Sequence, residues 1–127
     1  MVDTMTFIDV DADESITWLD HPQSINGSLW LTGVGNLPCD VMIVGEHPGR
    51  DETRFREMWK CMQGRLLDES ARKAGLDMHT VYKTHLLKYQ PKSKSIKAPD
   101  IKISMPLLNE EITRANPRLI ITFGAHS

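Results

Sequence analysis

Val41-Met42-Ile43-Val44-Gly45-Glu46-His47-Pro48-Gly49 is a run of four apolar residues passing straight into Gly-Glu-His-Pro-Gly, and a long segment of helical periodicity follows it. This is the pattern of a buried strand ending in a hard turn, with backbone N–H groups beside a helix start. Pro48 pre-sets its own φ, and Gly49 is free to take a positive φ without steric cost. A bend of this kind can hold an anion or a polar ring against main-chain donors. Glu46 and His47 place an acid and an imidazole at its tip, which makes the bend a candidate for chemistry.

Outward from the bend, the spacing predicts one helix over Thr53–Ala74. Phe55, Met58, Trp59, Met62, Leu66, Leu67 and Ala71 recur at three- and four-residue intervals, and Gly75 supplies the stop. Val81–Leu87 is expected as a second strand. A basic loop follows, then a helix from Asp100 with Ile103, Leu107, Leu108 and Ile112 on one face, ending near Asn116-Pro117. Leu119–Phe123 is expected as a third strand, followed by Gly124. Upstream, Gln23–Ser28 predicts a turn and Leu29–Thr32 a short strand, closed by Gly33, Gly35 and Asn36. Strands alternating with helical crossovers imply a short parallel sheet wound right-handed, a three-layer α/β/α arrangement. Functional groups then gather at the C-terminal strand ends, where Glu46, His47, His85 and Gly124 fall.

A length of 127 residues predicts one domain, 29–127, preceded by an acidic arm over 1–28. No apolar run approaches the roughly 20 residues of a membrane span. Asp3, Asp9, Asp11, Asp13 and Glu14 are the opposite of a secretory leader, so the expected location is cytoplasmic, or the host cytoplasm for a viral chain. Cys39 and Cys61, far apart and in no C-x-x-C pair, read as two thiols in a reducing compartment.

The net charge of −2 conceals an asymmetry. Eight acids and no Lys or Arg precede Arg50; from there on, 15 basic residues stand against 9 acidic ones. Lys83, Lys88, Lys92, Lys94, Lys97 and Lys102 are concentrated in one segment with Ser93 and Ser95 as spacers. Such a segment suits phosphate contacts, because each neutralised phosphate releases counterions. It also suits an ordinary solvated loop, and charge alone leaves both readings open. Asp77, Glu110, Glu111, Arg114 and Arg118 are read as surface charges.

In its ordered motifs the chain resembles the uracil-DNA glycosylase superfamily, most closely the family 4 branch, over roughly residues 29 to 127. The matching positions are Gly45-Glu46-His47-Pro48-Gly49, Asp51-Glu52, Trp59, Gly64-Arg65-Leu66-Leu67 and Ala74-Gly75-Leu76-Asp77. Val81-Tyr82-Lys83-Thr84-His85-Leu86-Leu87-Lys88, Pro91, Pro99 and Phe123-Gly124 complete the set. The resemblance implies a glycosylase-like α/β fold and a pocket for a swung-out base. It assigns Glu46 and the main chain of Gly45–Gly49, with Pro48, to the pocket floor. Glu52 is implied as the group orienting the attacking water, Trp59 as the stacking ring and His85 as the reader of the base edge. His47 stands where another glycosylase family carries a catalytic Asp. Lys88, Lys92, Lys94 and Lys97 are implied as DNA-backbone contacts. From the residues alone, Trp59 also fits the apolar stripe of its helix, His85 a semi-buried histidine and Glu52 a first-turn acid favoured by the helix dipole.

The departures are as informative. Family 4 holds an iron–sulfur cluster on four cysteines. Here the first pair is missing before Leu29, and Tyr89 and Ser104 stand at the other two positions. Phenol and hydroxyl do not replace thiolates, so the expectation is no cluster and no metal. His85 replaces the family's Asn, and Trp59 its Phe. The family's fourth strand and His-Pro-Ser loop lie beyond Ser127, so the sheet is expected to stop after its third core strand. Losing that His predicts a fall in rate of about 10²–10³, by analogy with an oxyanion donor. The expected function is DNA base excision, the hydrolysis of the N-glycosidic bond of uracil or a modified base. The alternative is a catalytically weak or inactive DNA-binding accessory domain, phage-derived or part of a DNA polymerase. DNA is the expected partner; a protein partner or a further segment completing the sheet is the other.

Overall fold

The central strand of the domain is β4, Val41–Gly45, buried along its whole length. In the computed structural model, residues 24–25, 28–93 and 95–124 are described. The acidic arm therefore falls outside the described residues except for the ribbon formed by β1, Ser24–Ile25, and β2, Ser28–Leu29. Of the strand expected over Leu29–Thr32 only Leu29 is in a strand, at the end of β2, and β3, Val34–Gly35, lies beyond it. The remaining strands are β5, Val81–His85, and β6, Leu119–Thr122.

The sheet order is β3-β5-β4-β6. β4 runs parallel to both β5 and β6, whereas β3 adds an antiparallel edge beside β5, so the sheet is mixed. Alternation along β4 sends its residues to two faces. Val41 and Ile43, with Val81, pack against Leu67, Leu76 and Trp59. Met42 and Val44, with Tyr82, pack against Leu108 and Ala115 of the long helix. This is the three-layer α/β/α arrangement expected from the strand–helix alternation. Burying each of the apolar side chains of β4 contributes about 1.5–3 kcal/mol. Among the described residues no helix is long and apolar enough to cross a membrane.

The predicted single helix over 53–74 is two helices, α1, Arg50–Phe55, and α2, Met62–Lys73. Arg56 and Trp59 adopt left-handed backbone conformations between them, with φ of 58° and 64°. The break has a local cause. Glu52 is buried, and its carboxylate accepts the backbone N–H groups of Gly49 at 3.0 Å and Trp59 at 2.6 Å, folding the chain back over α1. Those charge-assisted bonds offset the roughly 1–2 kcal/mol that each left-handed residue costs. Phe55 and Met62, expected on the buried stripe, are consequently exposed. Gly64 makes the return possible, because a Cβ there would lie 1.9 Å from the carbonyl oxygen of Trp59. Gly64→Ala is therefore expected to lower stability by about 1–3 kcal/mol, read by thermal denaturation.

The last helix, α3, spans Ala98–Ala115 and starts two residues before the expected Asp100. Pro99 suits a first turn, and Asp100 Oδ2 accepts the Lys97 N–H at 3.0 Å, closing that turn. Its buried line is Ser104, Leu108, Glu111 and Ala115; of the predicted face, Leu108 is buried and Ile112 packs on the core, whereas Ile103 is exposed. Glu111, read from the sequence as a surface charge, has no exposed area. Residues 86 and 87, expected in the second strand, lie just past β5 but still donate their N–H groups to Gly45 and Glu46.

From β4 the chain crosses to β5 on one side and then, through α3, to β6 on the other. Parallel crossovers leaving in opposite directions put their helices on opposite faces. The strand order reverses between β4 and β6, and a crevice lies beyond their C-terminal ends.

Candidate functional site

A cavity of about 730 Å³ occupies the crevice. It is lined by Gly45, Glu46, His47 and Gly49 of the bend, by Glu52, Trp59 and His85, by Phe123 and Gly124 after β6, and by Leu66, Leu67 and Ser70 of α2. The structure thus brings together seven of the eight catalytic and base-binding residues expected from the sequence, Glu52 among them and Pro48 excepted.

Trp59 is half-buried and anchored. Its indole Nε1–H donates to the Thr84 carbonyl at 3.1 Å, and its ring stacks on the His85 imidazole with centroids 4.8 Å apart at 20°. Phe123 meets the indole edge-on at 6.3 Å. Gly45 permits this packing: a Cβ there would stand 2.5 Å from His85 Nδ1 and 3.0 Å from Trp59 Cζ2.

His85 is buried beneath the indole. Its Nε2 lies 2.6 Å from Glu52 Oε2, and its Nδ1 is buried against Gly45 with no partner. An Nε2–H directed at the carboxylate accounts for this short contact. Neither nitrogen is open to a ligand: Nε2 is committed to Glu52 and Nδ1 is buried.

Glu52 thus receives three donors, from Gly49, Trp59 and His85. Burial by itself raises its pKa, but the hydrogen bond and charge of His85, with the bonds from Trp59 and Gly49, outweigh it and hold the carboxyl below the usual carboxylate range. A depressed folded-state pKa means that ionised Glu52 stabilises the fold above the unfolded value near 4.3. That stabilisation is lost as pH falls through the lower, folded value. Melting temperatures measured from pH 6 downward are expected to fall in this acid range, and Glu52→Gln is expected to shrink that loss.

His47 Nδ1 lies 2.8 Å from the Pro48 carbonyl oxygen. A carbonyl only accepts, so the neutral ring carries its proton on Nδ1 and keeps an Nε2 lone pair. Glu46 is half-buried beside Gly124, whose φ is +97° and whose missing Cβ would lie 2.4 Å from Glu46 Cγ. Pro48 is fully buried behind the bend and is not among the residues lining the cavity; it shapes the turn. Gly49 is extended, with φ −95°, and does not use a positive φ.

The lysines divide. Lys92 and Lys97 are exposed, whereas Lys94 lies outside the described residues. Lys88, expected on the DNA backbone, is fully buried: its ammonium contacts Glu111, the Thr84 hydroxyl at 2.9 Å and the His85 carbonyl. No phosphate can reach it. Desolvation pushes its pKa down, against the Glu111 carboxylate, which pushes it up. Neither Lys88 nor Glu111 was identifiable as core, because apolar periodicity does not register a buried pair. Gln63 and Ser70 also line the cavity and carry no sequence signal beyond their helix position.

The two family cysteine positions within the described residues do not suit iron. Tyr89 donates its hydroxyl to Asp100 Oδ1 at 2.6 Å and stacks on Trp30 at 6.4 Å. Burial, with the bond to Asp100, pushes the phenol pKa up, so it stays protonated. Ser104 is fully buried beside it. Cys39 shares the core cluster of Tyr89, and burial raises its thiol pKa, the opposite of what a metal ligand needs. Among the described residues no three His, Cys, Asp or Glu side chains are grouped to hold a metal ion.

Residues 32–127 match the model of the uracil DNA glycosylase superfamily. The chain is 31% identical over 96 residues to a type-4 uracil-DNA glycosylase of Archaeoglobus fulgidus, covering 75% of this chain and 48% of the relative. It is 29% identical over 105 residues to the type-4 enzyme of Thermotoga maritima, covering 82% and 55%. For the enzyme of Saccharolobus solfataricus the figures are 31% over 99 residues, 76% and 46%. The chain spans about half the length of the curated relatives it matches. It belongs to the uracil DNA glycosylase superfamily, and its similarity runs to the type-4 members.

Proposed function

We propose that this chain binds DNA and hydrolyses the N-glycosidic bond of uracil or a related base swung out of the strand. The carrying observation is that the Gly45–Gly49 bend and the Trp59 ring bound one cavity at the reversal of strand order, roomy enough for a base. The base enters against Trp59 and Phe123, with Glu46 and the bend as floor. As the bond from C1′ to the base breaks, its electron pair leaves with the base and a water oxygen bonds to C1′. His47 Nε2 is the acceptor for the water's proton. Glu52, bonded by three donors, acts as a positioning group for Trp59 and His85.

Release of uracil from single-stranded uracil DNA tests this, with Glu46→Ala and Trp59→Ala as controls. One observation favours the second reading, a DNA-binding domain without catalysis: neither His85 nitrogen is open to read a base edge. Salt-sensitive DNA binding without base release would establish that reading. The exposed Lys92 and Lys97 are proposed as phosphate contacts. Each alanine substitution there is expected to reduce the slope of log affinity against log salt by about 0.7 on single strands.

The donor set at Tyr89 and Ser104 supports a chain that folds without an iron–sulfur cluster. Purified protein is expected to carry no stoichiometric iron by elemental analysis; one cluster's worth of iron per chain would overturn this.

A further inference from the structure

We propose that the buried Lys88–Glu111 pair is a positioning element that sets the aromatic wall of the cavity. The link is the Thr84–His85 segment, at the C-terminal end of β5. The Thr84 carbonyl holds the Trp59 indole, and the Thr84 hydroxyl donates to Glu111 at 2.8 Å. The Lys88 ammonium grips the His85 carbonyl and the same hydroxyl. Glu111 also accepts the Tyr82 hydroxyl at 2.7 Å, which ties the pair to the middle of β5. The Thr84 hydroxyl and the His85 carbonyl are thus both held by one ion pair, while the Trp59 and His85 rings stack on one another and line the cavity.

A buried pair is weak evidence for stability, because apolar residues of similar size frequently serve as well. What methionines cannot supply is a donor for the His85 carbonyl. The geometry assigns Lys88 and Glu111 to placing Trp59 and His85, over and above filling the core. This rests on the cavity being the base site. The test is chosen so that one arm needs no substrate.

The first arm is the Trp59 indole ¹H–¹⁵N resonance, one of three in the chain and assigned by its loss in Trp59→Phe. In the double variant Lys88→Met/Glu111→Met, the Trp59 resonance is expected to shift and broaden as its stack on His85 loosens, with a lower melting temperature from the buried Tyr82 and Thr84 hydroxyls left without their acceptor. Leu108→Ala, an apolar core truncation on the same helix that removes none of these hydrogen bonds, is expected to lower the melting temperature and leave the resonance in place. Thr84→Val cuts the hydroxyl that joins the pair to β5 and carries the same expectation, even for a double variant that does not fold. The second arm is single-turnover excision of uracil from single-stranded DNA. It is expected to fall about a hundredfold for a 1 Å displacement of the wall. An unmoved Trp59 resonance in the folded double variant and in Thr84→Val overturns the proposal. A parent without excision overturns the glycosylase reading alone, since the resonance still reports the positioning.

Discussion

Glu52→Ala is expected to lower stability by about 3–5 kcal/mol, the range for removing one member of a buried charged pair. The size follows from what the carboxylate holds. It closes the first turn of α1 through Gly49, arrests the chain at Trp59 and satisfies the one bonded nitrogen of His85. Without it, Trp59 loses the bond that offsets its left-handed strain, and His85 is left buried with both nitrogens unpartnered. Urea denaturation gives the magnitude. Glu52→Gln separates charge from shape: its side-chain oxygen can still accept one backbone N–H, so a smaller loss is expected. A change below about 1 kcal/mol for Glu52→Ala would show that the break between α1 and α2 is held by other contacts.

The second large effect is on rate. His47→Ala is expected to slow base release by about 10²–10⁴, the usual contribution of a positioned general base. Its half-buried ring sits at the edge of the bend, with only Nδ1 committed to the Pro48 carbonyl. The fold should be indifferent to its loss, so melting temperature and DNA affinity are expected to stay near the parent's. Single-turnover release at saturating enzyme isolates the chemical step. Unchanged release in His47→Ala would return the role of holding water to the main chain or to Glu46.

The elements that were legible are those whose signal is local. β4, β6 and the start of β5 announce themselves as apolar runs closed by turn residues, and the Gly-Glu-His-Pro-Gly bend lies where the strand order predicts a site. What escaped depends on groups that meet only in three dimensions. The heptad-like spacing from Phe55 to Ala71 is real, yet the side chain of Glu52 overrides it by capturing backbone seven residues on. Lys88 reads as one more lysine of a basic loop, and Glu111 as one more acid of a polar helix. Only the crossover through α3 brings them together beneath β5. His85 was placed correctly at a strand end, but its orientation was set by Glu52, a partner 33 residues away.

Because Lys88 and Glu111 are both sealed from water, neither is free to drift alone through evolutionary time. Replacing one strands the other's charge at about 3–5 kcal/mol, a large part of the stability of a domain this size. Descendants of this chain can shed the pair only by near-simultaneous changes or by way of a tolerant intermediate such as the uncharged amide. Homologues are therefore expected to vary at these two sites in concert, and their joint identity should sort lineages more cleanly than either site alone.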